Sequence, residues 1–228
     1  MKVSVCIPTY EMAGRGGEFL KVSFLSLRMQ TLKDFEVIIS DHSKDDAIKN
    51  FCENELELNV KYFRNSEKRG SSSANANNAL KNAIGEVIKI LFQDDYLCNI
   101  TALEQIYKSF INPEVNWLAV GTVHTSNMET FYNEMVPMYV SDIHLGNNTI
   151  SSPSVIAIRN KEILLFDEKL SWLMDVEYYK RLYDTYGLPK IIKNTLVVNR
   201  LWDGQVSSSQ ITQELIDKEV RYVKKKYS

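Results

Sequence analysis

The chain has 228 residues, of which 44% are hydrophobic and 25% charged, as in an ordinary globular protein. Its 27 basic and 29 acidic residues give a formal net charge of −2, which argues against a nucleic-acid-binding protein. Cys6, Cys52 and Cys98 are far apart and form no CxxC pair, so neither a disulfide framework nor a zinc site is expected.

The N-terminal apolar run is too short for a signal peptide, and no stretch approaches the ~20 apolar residues of a membrane span. We therefore expect a cytoplasmic protein, with at most peripheral contact at the inner face of a membrane. No repeat or low-complexity linker divides the sequence, and its length suits one domain with a full core. We interpret residues 1–228 as a single domain.

The first half of the chain alternates strand and helix signals. Short apolar runs that stop at polar residues predict buried strands at residues 3–7, 35–41, 60–63 and 86–92. Helical spacing of apolar residues predicts helices at about 20–27, from about residue 45, and at 76–83, where Gly85 is expected to end the helix. This alternation predicts an α/β fold with a mostly parallel central sheet flanked by helices.

The second half of the chain is less regular. It predicts strands at residues 117–124, 155–158 and 191–198, and helices at about 103–110, 176–186 and 216–227. Residues 125–150 are polar and weakly periodic, so we expect a long loop or a hairpin there.

Polar side chains follow three of the predicted parallel strands. They are Thr9, Tyr10 and Glu11, then Asp41, His42 and Ser43, then Gln93, Asp94 and Asp95. In open α/β sheets, ligands bind beyond the carboxyl ends of the strands. The sequence therefore predicts that these three strand ends share one ligand-binding rim.

Asp94 and Asp95 directly follow a buried strand. Two adjacent carboxylates in such a place are costly unless a positive charge neutralises them. A divalent cation with oxygen ligands would do so and would also bridge the oxygens of a diphosphate. A solvated turn or a helix N-cap accounts for the pair equally well, but the apolar strand before it favours a functional site.

Other polar residues near the predicted rim have two interpretations each. Asp41 would accept hydrogen bonds from a base or ribose, or would form an Asx turn. Tyr10 would stack on a base, or would belong to a segment that only ends the strand. Arg69 with Lys68 would meet phosphate at the start of the next helix, or would lie in a solvated turn.

The later helix offers a candidate base. Asp175 at its start would deprotonate an acceptor hydroxyl, although an Asp is favoured at a helix N-terminus by capping and the helix dipole alone. Trp172 just before it would stack on a sugar, or would pack in the core. His42, His124 and His144 show no metal-ligand spacing and are interpreted as structural or surface residues.

In their order and spacing, these motifs resemble the inverting glycosyltransferases of family 2, which have the GT-A fold. The resemblance extends over nearly the whole chain. It covers residues 3–11, Asp41, residues 77–86, residues 93–95, residues 152–154, residues 174–177 with Arg181, and residues 200–207.

The resemblance implies a Rossmann-like half that binds a nucleotide sugar, residues 1–98, and a half that binds the acceptor and carries the catalytic base, residues 99–228. The donor would be a nucleoside-diphosphate sugar, with a UDP-sugar as the first choice. The acceptor would be a hydroxyl of a glycan or of a lipid-linked sugar. The cofactor would be Mn²⁺ or Mg²⁺; no nucleic-acid partner is expected, and a homodimer is left open.

The resemblance also implies roles for individual residues. Asp175 would be the catalytic base, and Asp95 with Asp94 would bind the metal. Nucleotide-sugar binding would fall to Pro8, Thr9, Tyr10, Glu11, Asp41, Arg69, Asn77, Lys81, Gln93 and Asp94. The acceptor would contact Ser154, Trp172 and Gln205.

This sequence departs from the family pattern at several positions, one of which is Ala79, where the family has a glycine. Phe92 stands where an acidic residue is common, Met174 stands where Glu usually precedes the base, and Trp202 stands where a metal-binding His is common. The metal would then have fewer protein ligands, or would use Gln205.

Two alternative functions remain open from the sequence. A nucleotidyltransferase on a similar sheet would also need paired carboxylates, and it would release pyrophosphate. A non-catalytic sugar-binding module with a degenerate site would show no metal-dependent nucleotide binding. The acceptor is expected to be selected by residues 125–148.

Overall fold

A computed structural model of the protein describes residues 1–205 and 211–228. Residues 206 and 207, which end the last motif of the family resemblance, lie outside the described residues. The strands are β1 (Val3–Thr9), β2 (Phe35–Asp41), β3 (Val60–Arg64), β4 (Val87–Ile90), β5 (Tyr96–Leu97), β6 (Trp117–Thr125), β7 (Tyr132–Met135), β8 (Ile156–Arg159) and β9 (Lys190–Arg200).

The helices pack around this sheet. They are α1 (Gly16–Arg28), α2 (Ala47–Glu53), α3 (Ser72–Lys81), α4 (Ala102–Ser109), α5 (Met174–Tyr186) and α6 (Gln213–Lys226). Short 3₁₀ turns lie at Met12–Gly14, Ile143–Leu145 and Pro153–Val155. Among the described residues, no helix combines the length and apolar character that crossing a bilayer requires.

Within the described part of the chain, nine strands form one sheet in the order β3-β2-β1-β4-β8-β6-β9-β5, with β7 paired to β6. The pairings among β3, β2, β1 and β4 are parallel, and so is the long pairing of β6 with β9. Strand β8 is antiparallel to both β4 and β6, and thus joins the two halves of the sheet. The predicted α/β fold is confirmed.

The structure contains each of the predicted strands, with small differences in where the strands begin and end. Strand β2 has the predicted bounds, whereas β4 stops at Ile90 and leaves the next residues free to turn toward the rim. Every residue of β1 and β2 is buried, as expected for parallel strands covered on both faces. Residues 125–150 contain β7, which forms a hairpin with β6, so the hairpin alternative holds.

Helix α3 ends at Lys81, not at Gly85 as the sequence predicted. Gly85 instead lies against β1, where its amide donates to Ser4 Oγ at 2.8 Å. The Ser4 hydroxyl in turn donates to Glu36 Oε1 at 2.6 Å, and this buried carboxylate also accepts from the Ile84 amide at 3.0 Å. The glycine is needed for this close approach, which a side chain would prevent.

The asparagines of α3 bind the carboxyl ends of β1 and β2. The Asn75 amide nitrogen donates to the Thr9 carbonyl at 2.9 Å, and its oxygen accepts from Ser40 Oγ at 2.7 Å. Asn78 donates to the same Ser40 hydroxyl at 2.8 Å. These bonds satisfy polar groups that the strand ends would otherwise bury unpaired, and they fix the rim.

Gly85→Ala is expected to lower the free energy of unfolding by about 1–3 kcal/mol, since the new methyl group would overpack the β1 backbone. A Cβ at Gly85 would lie 2.6 Å from the Ser4 nitrogen, whereas one at Gly17 in α1 would have no neighbour within 4 Å. Gly17→Ala is therefore the control and should leave stability equal or raise it by up to about 1 kcal/mol. Urea denaturation measures both, and equal stability of the two variants would contradict the close approach.

Candidate active site

A cavity of about 500 Å³ opens beyond the carboxyl ends of β1 and β4. The first half of the chain contributes Pro8 near the end of β1, Tyr10 just after it, and Gln93, Asp94 and Asp95 after β4. All five were predicted as site residues from the sequence. Two of the three predicted strand ends therefore form one wall of a cavity, whereas the third, residues 41–43 at the end of β2, does not line it.

The second half of the chain supplies the rest of the wall. Trp172 and Asp175 come from the start of α5, Gln205 follows β9, and Asn199 comes from the end of β9. Ser152, from the loop before β8, lies next to them. The predicted base, the predicted stacking residue and the predicted metal ligands thus share one cavity.

The described wall of this cavity is acidic. It carries the carboxyl groups of Asp94, Asp95 and Asp175, together with the imidazole of His124, and it has no lysine or arginine among its described residues. Burial lowers the pKa of His124, which favours the neutral ring. A diphosphate entering this cavity would meet uncompensated negative charge.

Asp95 is held from the second half of the chain. Its Oδ2 accepts from Asn199 Nδ2 at 2.8 Å and from Ser152 Oγ at 3.3 Å, and its Oδ1 accepts from the Arg200 amide at 3.2 Å. Burial, and then the neighbouring charge of Asp94, raises the pKa of Asp95 above its ordinary value. The carboxylate is therefore fixed in position while its charge is only partly compensated.

Asp94 is oriented by Trp202 and Gln205. The indole Nε1 and the Gln205 Nε2 each donate to Asp94 Oδ2 at 3.2 Å. Trp202, at the position where the family often has a metal-binding His, therefore serves as a hydrogen-bond donor to the carboxylate. Burial raises the pKa of Asp94, although these two bonds act against the shift.

A layer of cations lies behind the acidic pair. Arg200 donates from Nε to the Asp94 carbonyl and from Nη2 to the Phe19 carbonyl, the latter at 2.9 Å. Lys89, in the middle of β4, is fully buried and donates from Nζ to the carbonyl of Ser154. Burial lowers the pKa of Lys89 to about 7. These two basic side chains bind backbone carbonyls behind the pair, and the described wall of the cavity stays acidic.

Asp175 lies in the first turn of α5. Its Oδ1 accepts from the Val176 amide at 2.7 Å, and its Oδ2 accepts from Asn148 Nδ2 at 2.8 Å. Burial raises its pKa to about 6, while these hydrogen bonds act in the opposite direction. The carboxyl group is thus mostly ionised at neutral pH and retains more basicity than an exposed aspartate.

The predicted nucleotide-binding residues differ in how they meet the cavity. Gln93 ties the strand ends together, because its Oε1 accepts from the Tyr10 amide and its Nε2 donates to the Gly16 carbonyl, both at 2.9 Å. Asp41 is fully buried behind the wall, where it accepts from the Ser43 amide at 2.9 Å and from Tyr62 Oη at 2.6 Å.

Several predicted site residues do not line the cavity. They are Thr9, Glu11, Asp41, Arg69, Asn77, Lys81 and Ser154. Arg69 and Lys81 are exposed, whereas Asn77 is buried and donates to the Phe166 carbonyl at 2.9 Å. Ser154 is also fully buried and accepts from the Phe92 amide at 2.8 Å. Asn77 and Ser154 thus bind backbone groups within the fold.

The sequence did not single out several residues that build the site. Asn199, like Asp94, is a polar residue at the end of a buried strand. However, β9 belongs to the second half of the chain, whose topology was not predictable from the sequence. Lys89 could have been noticed as one cation inside an apolar run. Asn148 and Ser152 carry no comparable signal, because their role depends on how residues 125–155 fold back on the sheet.

Asp94 and Asp95 fit a small divalent cation. Mg²⁺ is commonly held by one or two carboxylates together with substrate phosphates and water, and Mn²⁺ accepts the same oxygen ligands. Among the described residues, no group of three or more His, Cys, Asp or Glu side chains could hold a metal ion. The two carboxylates therefore match a site that is completed by the diphosphate of a ligand, and not a closed structural site.

Comparisons with known proteins agree with this geometry. The model of the family described as Glycosyl transferase family 2 matches residues 4–173. Over 98 residues the chain is 33% identical to the GalNAc(5)-diNAcBac-PP-undecaprenol beta-1,3-glucosyltransferase of Campylobacter jejuni, which covers 42% of this chain and 30% of that protein. The chain spans 17–30% of the length of the curated relatives that it matches.

Solved structures share the fold. One is S. aureus TarS 1-349 in complex with UDP-GlcNAc, with a TM-score of 0.71, 21% identity, and coverage of 98% of this chain and 65% of that one. Another is the mannosyltransferase PcManGT from Pyrobaculum calidifontis in complex with GDP-Man and Mn²⁺, with a TM-score of 0.62, 18% identity, and coverage of 86% and 56%. This likeness confirms the predicted GT-A fold.

Asp94→Asn is expected to raise the thermal midpoint of the metal-free protein by about 2–4 °C near pH 8. The variant removes the charge of the half-buried Asp94 beside the buried Asp95, and its oxygen can keep the bonds from Trp202 and Gln205. Because both carboxyl pKa values are raised in the folded state, repulsion grows as pH rises, and the gain should shrink toward about pH 5.

Scanning calorimetry in EDTA measures this effect. Asp217→Asn is the matched control, since Asp217 is exposed on α6, and its midpoint should move by less than about 1–2 °C. A midpoint for Asp94→Asn at or below that of the unmodified protein near pH 8 would contradict the account of the buried pair.

Proposed function

Because this chain belongs to glycosyl transferase family 2, we propose that it moves a sugar from a nucleoside-diphosphate sugar to an acceptor hydroxyl, with inversion at the anomeric carbon and with a divalent cation. The observation that carries this proposal is the shared cavity, in which the pair Asp94 and Asp95 and the carboxylate of Asp175 stand on separate elements. One acidic site suits the diphosphate with its cation, and the other suits the acceptor.

The donor side of the proposal uses the first half of the chain. Pro8, Tyr10 and Gln93 line the cavity beside the acidic pair, and Gln93 fixes the backbone on which Tyr10 stands. We assign residues 1–98 to nucleotide-sugar binding and residues 99–228 to the acceptor and the base. A UDP-sugar is the proposed donor, and the likeness in fold to TarS, which was solved with UDP-GlcNAc, supports this choice.

The proposed cofactor is Mn²⁺ or Mg²⁺, held by Asp95 with Asp94. The cation, when bound, supplies positive charge that stabilises the departing diphosphate. Asn199 and Ser152 keep the Asp95 carboxylate in place, and Trp202 and Gln205 do the same for Asp94. PcManGT, which shares the fold, was solved with Mn²⁺.

Asp175 is the proposed catalytic base. Its carboxylate takes the proton of the acceptor hydroxyl, and the oxygen attacks the anomeric carbon on the face opposite the leaving diphosphate, which inverts the configuration. Asn148 orients the carboxylate through the bond to Oδ2. Trp172 offers an aromatic face to an acceptor sugar, and we propose a glycan or a lipid-linked sugar as the acceptor.

Asp175→Asn is expected to lower the transfer rate ~10²–10⁴-fold, because the amide cannot take the hydroxyl proton. Donor affinity should stay unchanged, since the residue is assigned to the acceptor. In the unmodified protein, kcat should fall as pH decreases through about 6, where the Asp175 carboxylate becomes protonated. Release of nucleoside diphosphate from UDP-, GDP- and dTDP-sugars in the presence of Mn²⁺ and an acceptor measures rate and donor together.

Asp184→Asn is the matched control, since it changes an exposed aspartate on the same helix. Retention of most of the rate by Asp175→Asn would remove the base assignment. Release of pyrophosphate instead of a nucleoside diphosphate would indicate a nucleotidyltransferase. Absence of any metal-dependent nucleotide binding would indicate a non-catalytic module.

A further inference from the structure

Glu219 of α6 binds the start of helix α5. Its side chain is 2% exposed, and its carboxylate accepts from the backbone amides of Ser171 at 2.7 Å, Trp172 at 3.0 Å and Leu173 at 2.8 Å. Leu173 is the N-cap residue of α5, and it contributes no capping bond of its own. The cap of this helix is therefore supplied from another helix, far away in the sequence.

A carboxylate suits this position for two physical reasons. The Leu173 amide is one of the first amides of the helix, which have no partners within it, and the amides of Ser171 and Trp172 lie in the turn just before it. The amides also form the positive end of the helix dipole, which favours a negative charge. Bonds from amides to an ionised acceptor are stronger than neutral ones. Glu219 thus fixes the backbone path into α5.

The segment that Glu219 holds leads directly into the cavity. Trp172 is one of its hydrogen-bond donors and lines the wall, and Asp175 lies two residues beyond Leu173. We propose that Glu219 is a positioning residue for transfer, which sets the place of the Asp175 carboxylate and the Trp172 ring by fixing the backbone before them. This inference rests on the proposed function, in which Asp175 is the base.

Helix α6 is anchored well enough to serve as this support. Lys226 at its end binds Asp167 Oδ2 at 2.7 Å and Glu177 Oε1 at 2.9 Å, and the following Tyr227 donates to the same Glu177 oxygen at 2.7 Å. Glu177 belongs to α5, so the two helices are joined at both Glu219 and Glu177. A carboxylate held on such a helix has a fixed position relative to α5.

Glu219 also contributes to the charge around Asp175. After burial, the negative charge of Glu219 raises the pKa of Asp175 further. In the described structure, the other titratable groups around Asp175 are Tyr179 on its own helix and His124, Asp94 and Asp95 across the cavity. Glu177, two residues further along α5, is paired with Arg181 and Lys226. Loss of the Glu219 charge should therefore lower the pKa of Asp175.

Glu219→Gln tests the proposal, with Glu214→Gln as the matched control on an exposed site of the same helix. Glu219→Gln should lower kcat by about 10- to 100-fold with little change in the KM for the donor, since a displaced base reacts poorly. The acidic limb of the kcat profile should move to lower pH. A carboxyl ¹³C NMR titration, in which Asp175→Asn assigns the signal, should show the same downward shift without any substrate. Glu214→Gln should change none of these.

A second variant separates charge from position. Glu219→Asp keeps the charge but shortens the side chain. The pKa of Asp175 should therefore stay closer to its value in the unmodified protein than it does in Glu219→Gln, while kcat remains reduced. If Glu219→Gln fails to fold, Glu219→Asp alone decides, because unchanged kcat in that variant would overturn the positioning role.

The result that overturns the inference is a lower thermal midpoint for Glu219→Gln with kcat and the Asp175 pKa unchanged, because Glu219 would then be a stabilising cap alone. The proposed function fails differently. If Asp175→Asn keeps its transfer rate, the base assignment is lost. If Asp175→Asn loses its transfer rate while Glu219→Gln keeps it, the proposed function stands and only this inference is removed.

Discussion

The structure depends on holding three carboxylates, one buried and two half-buried, in a cavity whose described wall contains no lysine or arginine. Burial alone would drive Asp94, Asp95 and Asp175 toward their neutral forms. The chain resists this with hydrogen bonds, and it confines its nearby cations to the layer behind the wall, as Arg200 and Lys89 show. The remaining negative charge is what makes a cation and a phosphate-bearing ligand a fitting pair of occupants.

The fold supplies these bonds by bringing its two halves together. Strand β8 joins the parallel strands of the first half to β6, and β6 pairs with β9. Strand β5 begins directly after Asp95 and pairs with β9, with Tyr96 opposite Val198, so the end of β9 lies beside the acidic pair. Asn199 and the Arg200 amide then reach Asp95 across the sheet. Helix α6 adds the third connection, since Glu219 holds the start of α5. The acidic pair and the base are thus positioned by elements that are remote in sequence.

Much of the first half was predictable, because parallel strands are buried on both faces and their ends are marked by polar residues. That rule placed Tyr10, Gln93 and the acidic pair at one rim, and the structure agrees. It did not reveal Asn199 or Glu219, because a hydrogen bond between distant elements has no local pattern. The family resemblance, and not this rule, assigned Asn77 to the nucleotide, and in the structure its side chain donates to the Phe166 carbonyl. Periodicity indicates which face of an element is covered, not which partner covers it.

The central claim is that this cavity takes a nucleoside diphosphate together with a divalent cation. Calorimetric titration of UDP tests it most directly, with Mn²⁺ or with EDTA, in the unmodified protein and in Asp95→Ala. The account predicts at least about tenfold weaker binding in EDTA, since the diphosphate then faces unneutralised carboxylates, and no Mn²⁺ dependence in Asp95→Ala. Equal affinity of the unmodified protein for UDP in Mn²⁺ and in EDTA would contradict it.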